Sequence, residues 1–124
     1  MKGLSLRNQP KYHFFKNTKY AIDGLKDIIK NESSFKIELI IVLILLPTIF
    51  LFPISLETKL IMFITLMGMP LAEVINSSIE RVVDLVTMDY HDMAKRAKDA
   101  GSAIVFLSIS IFVITWSFVI FSIL

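Results

Sequence analysis

Three apolar stretches, residues 39–56, 60–86 and 100–124, leave this chain few ways to fold. The first and third carry no charge at all. A bilayer core of about 30 Å is crossed by roughly 20 residues of helix, so each stretch can reach across one. Of the 124 residues 55% are hydrophobic, and a soluble domain of that size could not hide so much apolar surface. The excess must face lipid. The runs are continuous rather than alternating, which argues for helices and against a barrel. With no cysteine, neither a disulfide nor a thiolate metal site is available. The net charge of only +2 gives no reason to expect a nucleic-acid partner.

The basic residues orient these spans. Eight of the 13 Lys and Arg precede the first stretch, Lys59 lies in the first connection, and Arg81, Lys95, Arg96 and Lys98 lie at or after the end of the second. The positive-inside rule therefore places the N-terminus and the second connection in the cytoplasm and the C-terminus outside, in a multi-pass protein of the inner membrane. Nothing at the N-terminus resembles a cleaved signal peptide.

Residues 1–10 read as a disordered lead-in ending at Pro10. An amphipathic helix is expected from about Lys11 to Lys30. Lys16, Lys19, Asp23, Lys26 and Lys30 fall on one stripe, and Phe15, Thr18, Ile22, Leu25 and Ile29 on another, ~100° round the helix. Such a helix suits the membrane surface, lysines toward anionic headgroups. Ser33 or Ser34 is a candidate cap for the helix that follows. The expected layout is one membrane domain over residues 1–124, with the surface helix at 11–30 and spans at 37–54, 59–86 and 100–123. A short turn near Asp89 leads into the helix of the third span, and Gly101, Ser102 and Ala103 form a patch where another helix can approach closely.

The second stretch carries the chemistry. It is uncharged from Leu60 until Glu73, after which Asn76, Glu80 and Asp84 follow at offsets of three, seven and eleven. At ~100° per residue all four lie within ~80° on one face of a helix. Glu73 is ~20 Å along the axis from Lys59 at ~1.5 Å per residue, and Glu80 a further ~10 Å on, at the cytoplasmic boundary. A carboxylate in hydrocarbon costs about 2.5–3.5 kcal/mol on insertion scales, so Glu73 asks for a protein interior, a wet cavity or a reaction site. The bland readings are that Asn76 and the serines beside it join helices, that Asp84 is a solvated helix end, and that His91 is a surface residue. Several carboxylates and amide oxygens without thiols suit a hard cation such as Mg²⁺, which takes one or two carboxylates and fills its shell with water and phosphate oxygens. A neighbouring Lys98 can neutralise phosphate charge, and these parts together fit phosphoryl transfer. There is no G-x-x-x-x-G-K-S/T and no G-x-G-x-x-G, so a nucleotide site would not be a P-loop or Rossmann site.

The segment Glu73-Val-Ile-Asn-Ser-Ser-Ile-Glu80-Arg-Val-Val-Asp84 resembles the E-x-x-N-S/T-x-I-E-x-x-V-D signature of prokaryotic diacylglycerol kinases and the related undecaprenol kinases. Tyr90-His91, Ala97-Lys98-Asp99 and Asn31-Glu32 also look like that family, and the resemblance covers about residues 11–121. It implies an all-α membrane protein, a homotrimeric bundle whose chains each carry one surface helix and three spans. It further implies transfer of the γ-phosphate of ATP to a lipid hydroxyl, with Mg²⁺ as cofactor. Glu73 falls at the family's catalytic base, and Glu32 and Glu80 fall at the metal. Tyr20, Glu32, Glu80, Asp89, Tyr90, His91, Lys98 and Asp99 fall at nucleotide-contacting positions. The lipid is implied near Ser34, Phe35, Lys36, Ile37, Glu38, Glu73, Ser102 and Trp116, with Asn76 and Asp84 supporting. Where many members carry an N-terminal Arg this chain has His13, with Lys11 and Lys16 close by, so a lysine is an alternative for that contact. Gly101-Ser102-Ala103 and Trp116 look more like the diacylglycerol branch. Undecaprenol phosphorylation is the alternative within the family, and an ion- or proton-conducting membrane subunit is the alternative of another class. Against the latter, the outer half of the second stretch offers only Thr65 as a polar group.

Overall fold

The computed structural model describes residues 13–124. The lead-in at 1–10, and Lys11 as a phosphate or headgroup contact, lie outside the described residues. Four helices follow one another: α1 (Phe14–Asn31), α2 (Ser33–Leu51), α3 (Leu56–Val86) and α4 (Asp92–Ile123). No strand occurs among the described residues. α2, α3 and α4 are each long and apolar enough to cross a bilayer, and the chain is an all-helical membrane protein.

The breaks between helices have local causes. α1 and α2 are separated by Glu32 alone, whose backbone is extended at φ −115° and ψ 109°. Its N–H donates to Ile28 O at 2.8 Å, which closes α1, and its carbonyl accepts from Lys36 N at 3.3 Å, which opens α2. The serine cap expected for α2 is not made: Ser33 is already helical, Glu32 takes the N-cap place, and its side chain makes no capping bond. Glu32 thereby keeps its carboxylate for other partners. α2 runs through Pro47 and stops at Leu51, where Phe52 turns extended just ahead of Pro53, as a residue before proline tends to do. Ser55 caps α3 by accepting from Thr58 N at 3.2 Å. α3 has 31 residues, so at ~1.5 Å per residue it is about 46 Å long and outruns the bilayer core. Its last turns, from Glu80 on, carry Glu80, Arg81 and Asp84. After the connection at residues 87–91, His91 caps α4: its Nδ1 accepts from Met93 N at 3.1 Å.

α3 packs between α2 and α4. The main core joins Val42 and Ile49 of α2, Met62, Leu66 and Met69 of α3, and Trp116 of α4. Trp116 lies against Phe112, ring centroids 5.1 Å apart, and its indole N–H donates to Met62 O at 3.2 Å. Many large apolar side chains point outward from the spans, among them Leu43, Phe50, Phe106 and Phe118, each at least 70% exposed. In α1, Ile28 is the buried residue.

Candidate active site

Below the apolar core, α3 turns polar on the face it shows to α2 and α4. Glu73 is 8% exposed and Ser77, one turn on, is 2% exposed. With Asn76 and Glu80 they line a pocket of about 230 Å³ that is closed by Glu32 and Ser34 on one side and by Ser102 and Val105 of α4 on the other. Asn76 donates its amide to Glu80 Oε1 at 3.3 Å, while its Oδ1 is buried without a hydrogen-bond partner among the described residues. That oxygen faces Gly101, where an added Cβ would collide with it. Gly101 is therefore what lets α4 approach the acidic face.

Glu73 and Ser34 also line a second pocket, of about 390 Å³, on the other side of the same wall. Its lining is otherwise apolar except for Glu38, and includes Ile37, Ile41, Met69, Ile109, Phe112 and Val113. Glu38 is 7% exposed, and its Oε2 has no hydrogen-bond partner among the described residues. Glu73 thus stands between a polar pocket and an apolar one. A third pocket, of about 400 Å³, lies where α3 meets α4 at the second connection. Asp89, Tyr90, His91, Lys95, Lys98 and Asp99 line it. Lys98 Nζ is held 2.6 Å from Asp84 Oδ1, and Lys95 Nζ 2.6 Å from Asp99 Oδ2. Tyr90 donates its hydroxyl to Asp92 at 3.1 Å.

The structure brings together Glu32, Ser34, Glu73, Asn76, Glu80 and Ser102 in the first pocket, and Asp89, Tyr90, His91, Lys98 and Asp99 in the third. Ile37 and Glu38 join Glu73 in the apolar pocket, and Asp84 sits beside Lys98. His13, Tyr20, Phe35, Lys36 and Trp116 line none of the three. His13 and Tyr20 are exposed at and along α1, and Lys36 is exposed on α2. Phe35 is buried, and Trp116 belongs to the core described above. From the sequence, Ser77 has only a helix-joining role, although its offset of four from Glu73 puts it on the same stripe and the structure puts it in the same pocket. Sequence reasoning missed Asp27 and Arg81, whose ion pair joins positions 54 apart and leaves no local trace.

No three His, Asp or Glu side chains among the described residues come close enough to hold a metal ion by themselves. Two carboxylates lining one pocket with hydroxyls nearby suit a hard cation that draws its other ligands from water and phosphate. Glu32 and Glu80 are the two carboxylates that line that pocket beside Glu73.

A family model described as prokaryotic diacylglycerol kinase matches residues 19–120. The diacylglycerol kinase of Haemophilus influenzae is 40% identical over 110 residues, 88% of this chain and 92% of that protein. The diacylglycerol kinase of Escherichia coli K12 is 34% identical over 103 residues, 83% of this chain and 84% of the relative. The undecaprenol kinase of Bacillus subtilis is 35% identical over 99 residues, 78% and 80% of the two chains.

Proposed function

Because the chain belongs to the prokaryotic diacylglycerol kinase family, a family of membrane lipid kinases, we propose that it phosphorylates diacylglycerol with MgATP, giving phosphatidic acid and ADP. The observation that carries this reading is the position of Glu73 in the wall shared by the polar and the apolar pocket. A diacylglycerol places its acyl chains along Ile37, Ile41, Met69 and Phe112 and its free hydroxyl at Glu73. ATP lies in the pocket at the second connection, with Lys98 offering its ammonium to the phosphates and Asp89, Tyr90, His91 and Asp99 around the nucleotide. Lys98 is one turn of α4 from Ser102, so the two pockets meet along α4.

As the lipid hydroxyl oxygen attacks the γ-phosphorus, a new O–P bond forms and the bond from that phosphorus to the β,γ-bridging oxygen breaks. The hydroxyl proton passes to the Glu73 carboxylate, and ADP leaves. Asn76 steadies Glu80 through its amide, and Ser34 and Ser102 supply hydroxyls beside the reacting oxygen. Glu32 and Glu80 would hold Mg²⁺, which when bound neutralises phosphate charge and aligns the transferred group. Little covalent chemistry is asked of the protein; placement, a base and local charge supply the rate.

α1 lies along the cytoplasmic surface with its lysine stripe toward anionic headgroups, the site faces the cytoplasm, and the chain acts as one kinase domain within a homotrimer. Labelled-ATP phosphotransfer to diacylglycerol and to undecaprenol, side by side with purified protein in a lipid mimetic, tests the assignment. Diacylglycerol should be labelled faster. Labelling of undecaprenol alone overturns the choice of lipid, and labelling of neither overturns the kinase reading.

A further inference from the structure

We propose that Arg81 is a positioning residue, which holds the Glu32 carboxylate at the polar pocket by clamping the junction of α1 and α2 through Asp27. The inference rests on the reading of Glu32 as a metal ligand. Arg81 follows Glu80 on α3 but points ~100° away from it around the helix, so it leaves the pocket and reaches sideways. One guanidinium nitrogen, Nη1, pairs with Asp27 Oδ2, and the other, Nη2, lies 3.5 Å from Glu32 Oε1. Asp27 is itself fixed from the far side: Asn31 donates its amide to Asp27 Oδ1 at 2.8 Å and to the Asp27 carbonyl at 2.9 Å. Four side chains thus tie the last turns of α1 and the junction to α3.

The junction needs such a tie. Glu32 is a single extended residue between two helices, so its two backbone dihedrals set how α1 meets α2. Its own side-chain torsions leave the carboxylate free to swing unless something holds it. Apart from Ile28, which is buried, the residues of α1 are exposed. Packing alone therefore does little to fix the junction, and among the described residues the Arg81 clamp is the polar contact between α1 and α3.

Arg81 could instead compete with a cation for Glu32, and the geometry decides between the two roles. Asp27 is the nearer partner and balances the guanidinium charge. The 3.5 Å separation from Glu32 is longer than the ~2.7–2.9 Å of a charge-assisted hydrogen bond. Glu32 is steered but not consumed, so removing Arg81 loses more in placement than it gains in charge.

Binding of Mn²⁺ to the full chain in lipid mimetic with a non-hydrolysable ATP analogue at fixed concentration, read as protein-bound Mn²⁺ after equilibrium dialysis, tests this without turnover. Arg81→Gln should raise the Mn²⁺ concentration for half-saturation about threefold, the size of one partly exposed ion pair. Asp27→Asn, which breaks the same clamp from the other helix, should match it, and Arg81→Lys should recover part of the loss. In assays the Mg²⁺ requirement should rise by the same factor with the KM for lipid unchanged. The chain has no cysteine, so a nitroxide on Lys19→Cys reports α1 alone, and it should become more mobile in both clamp variants. Unchanged or tighter Mn²⁺ binding in Arg81→Gln and Asp27→Asn overturns the clamp. Glu32→Gln and Glu80→Gln separate the two claims. If these bind Mn²⁺ normally, the metal reading itself fails; if they lose it while the clamp variants do not, only the role of Arg81 fails.

Discussion

Glu73 and Gly101 are single positions at which the site can be broken for opposite reasons, one chemical and one steric. Glu73 is buried where an apolar and a polar pocket meet, and glutamine in its place keeps the shape but takes up no proton. Glu73→Gln should lower turnover by about 10²–10⁴-fold, the usual worth of a general base, while nucleotide binding survives. Near-normal labelling of lipid by that variant would remove Glu73 from the mechanism. Gly101→Ala leaves every reacting group in place and adds one methyl that runs into Asn76 Oδ1. The backbone or Asn76 must shift, with an overpacking cost of about 1–3 kcal/mol, and turnover should fall together with thermal stability. Gly24→Ala is the control, because an added Cβ there meets nothing within 4 Å. Its expected effect is a gain of about 0.4–1 kcal/mol. If thermal unfolding ranks the two substitutions equally, the close approach at Gly101 is not what limits it.

At the scale of helices, what could be read from the chain was periodicity and charge. The apolar runs, the stripe of three acids and one amide, and the small-residue patch at Gly101 are all local patterns, and one helix carries each of them. What could not be read were the meetings of residues far apart: Asp84 with Lys98, Asp27 with Arg81, and the indole of Trp116 with the carbonyl of Met62. The break between the first two helices was expected after Lys30, but its confinement to Glu32 was hidden, because neither glycine nor proline marks that residue. Trp116 shows what this changes. The family resemblance places it near lipid, yet its side chain is buried in the core and its N–H is already paired. Its influence on the apolar pocket passes through Phe112, which it touches and which lines that pocket. Trp116→Phe leaves the Met62 carbonyl short of one donor and opens a small void. It should cost about 1–3 kcal/mol of stability with a smaller change in the KM for lipid. A large change in KM at undiminished stability would instead mean direct contact with substrate. Glu32 and Glu80 come from different elements, so each must be in register for a shared cation. Glu→Gln at either should raise the Mg²⁺ needed for half-maximal rate, and an unchanged metal titration in both variants would sink their assignment.

The molecule as a whole is thin for the work proposed. Three spans and one further helix leave large apolar side chains exposed along α2, α3 and α4, and lipid or other copies of the chain must cover them. His13 and Tyr20 stand outside all three pockets of their own chain, although the family resemblance gives both of them ligands. Contacts from α1 into a neighbour's nucleotide or lipid pocket would reconcile the two, and a homotrimer packed about α3 would also shield the acidic stripe from lipid. A site of that kind takes Glu73 and Glu32 together from one chain, whose polar pocket holds both, and Lys98 from another. Glu73→Ala and Lys98→Ala proteins, each inactive alone, should then recover part of the activity when co-reconstituted, because some mixed trimers hold one site with both residues intact. The recovered fraction should rise and fall with the mixing ratio, with its maximum at intermediate composition. If every ratio stays as inactive as the parents while subunit exchange is verified by labels on introduced cysteines, each site is built within one chain and the exposed residues of α1 serve some other contact.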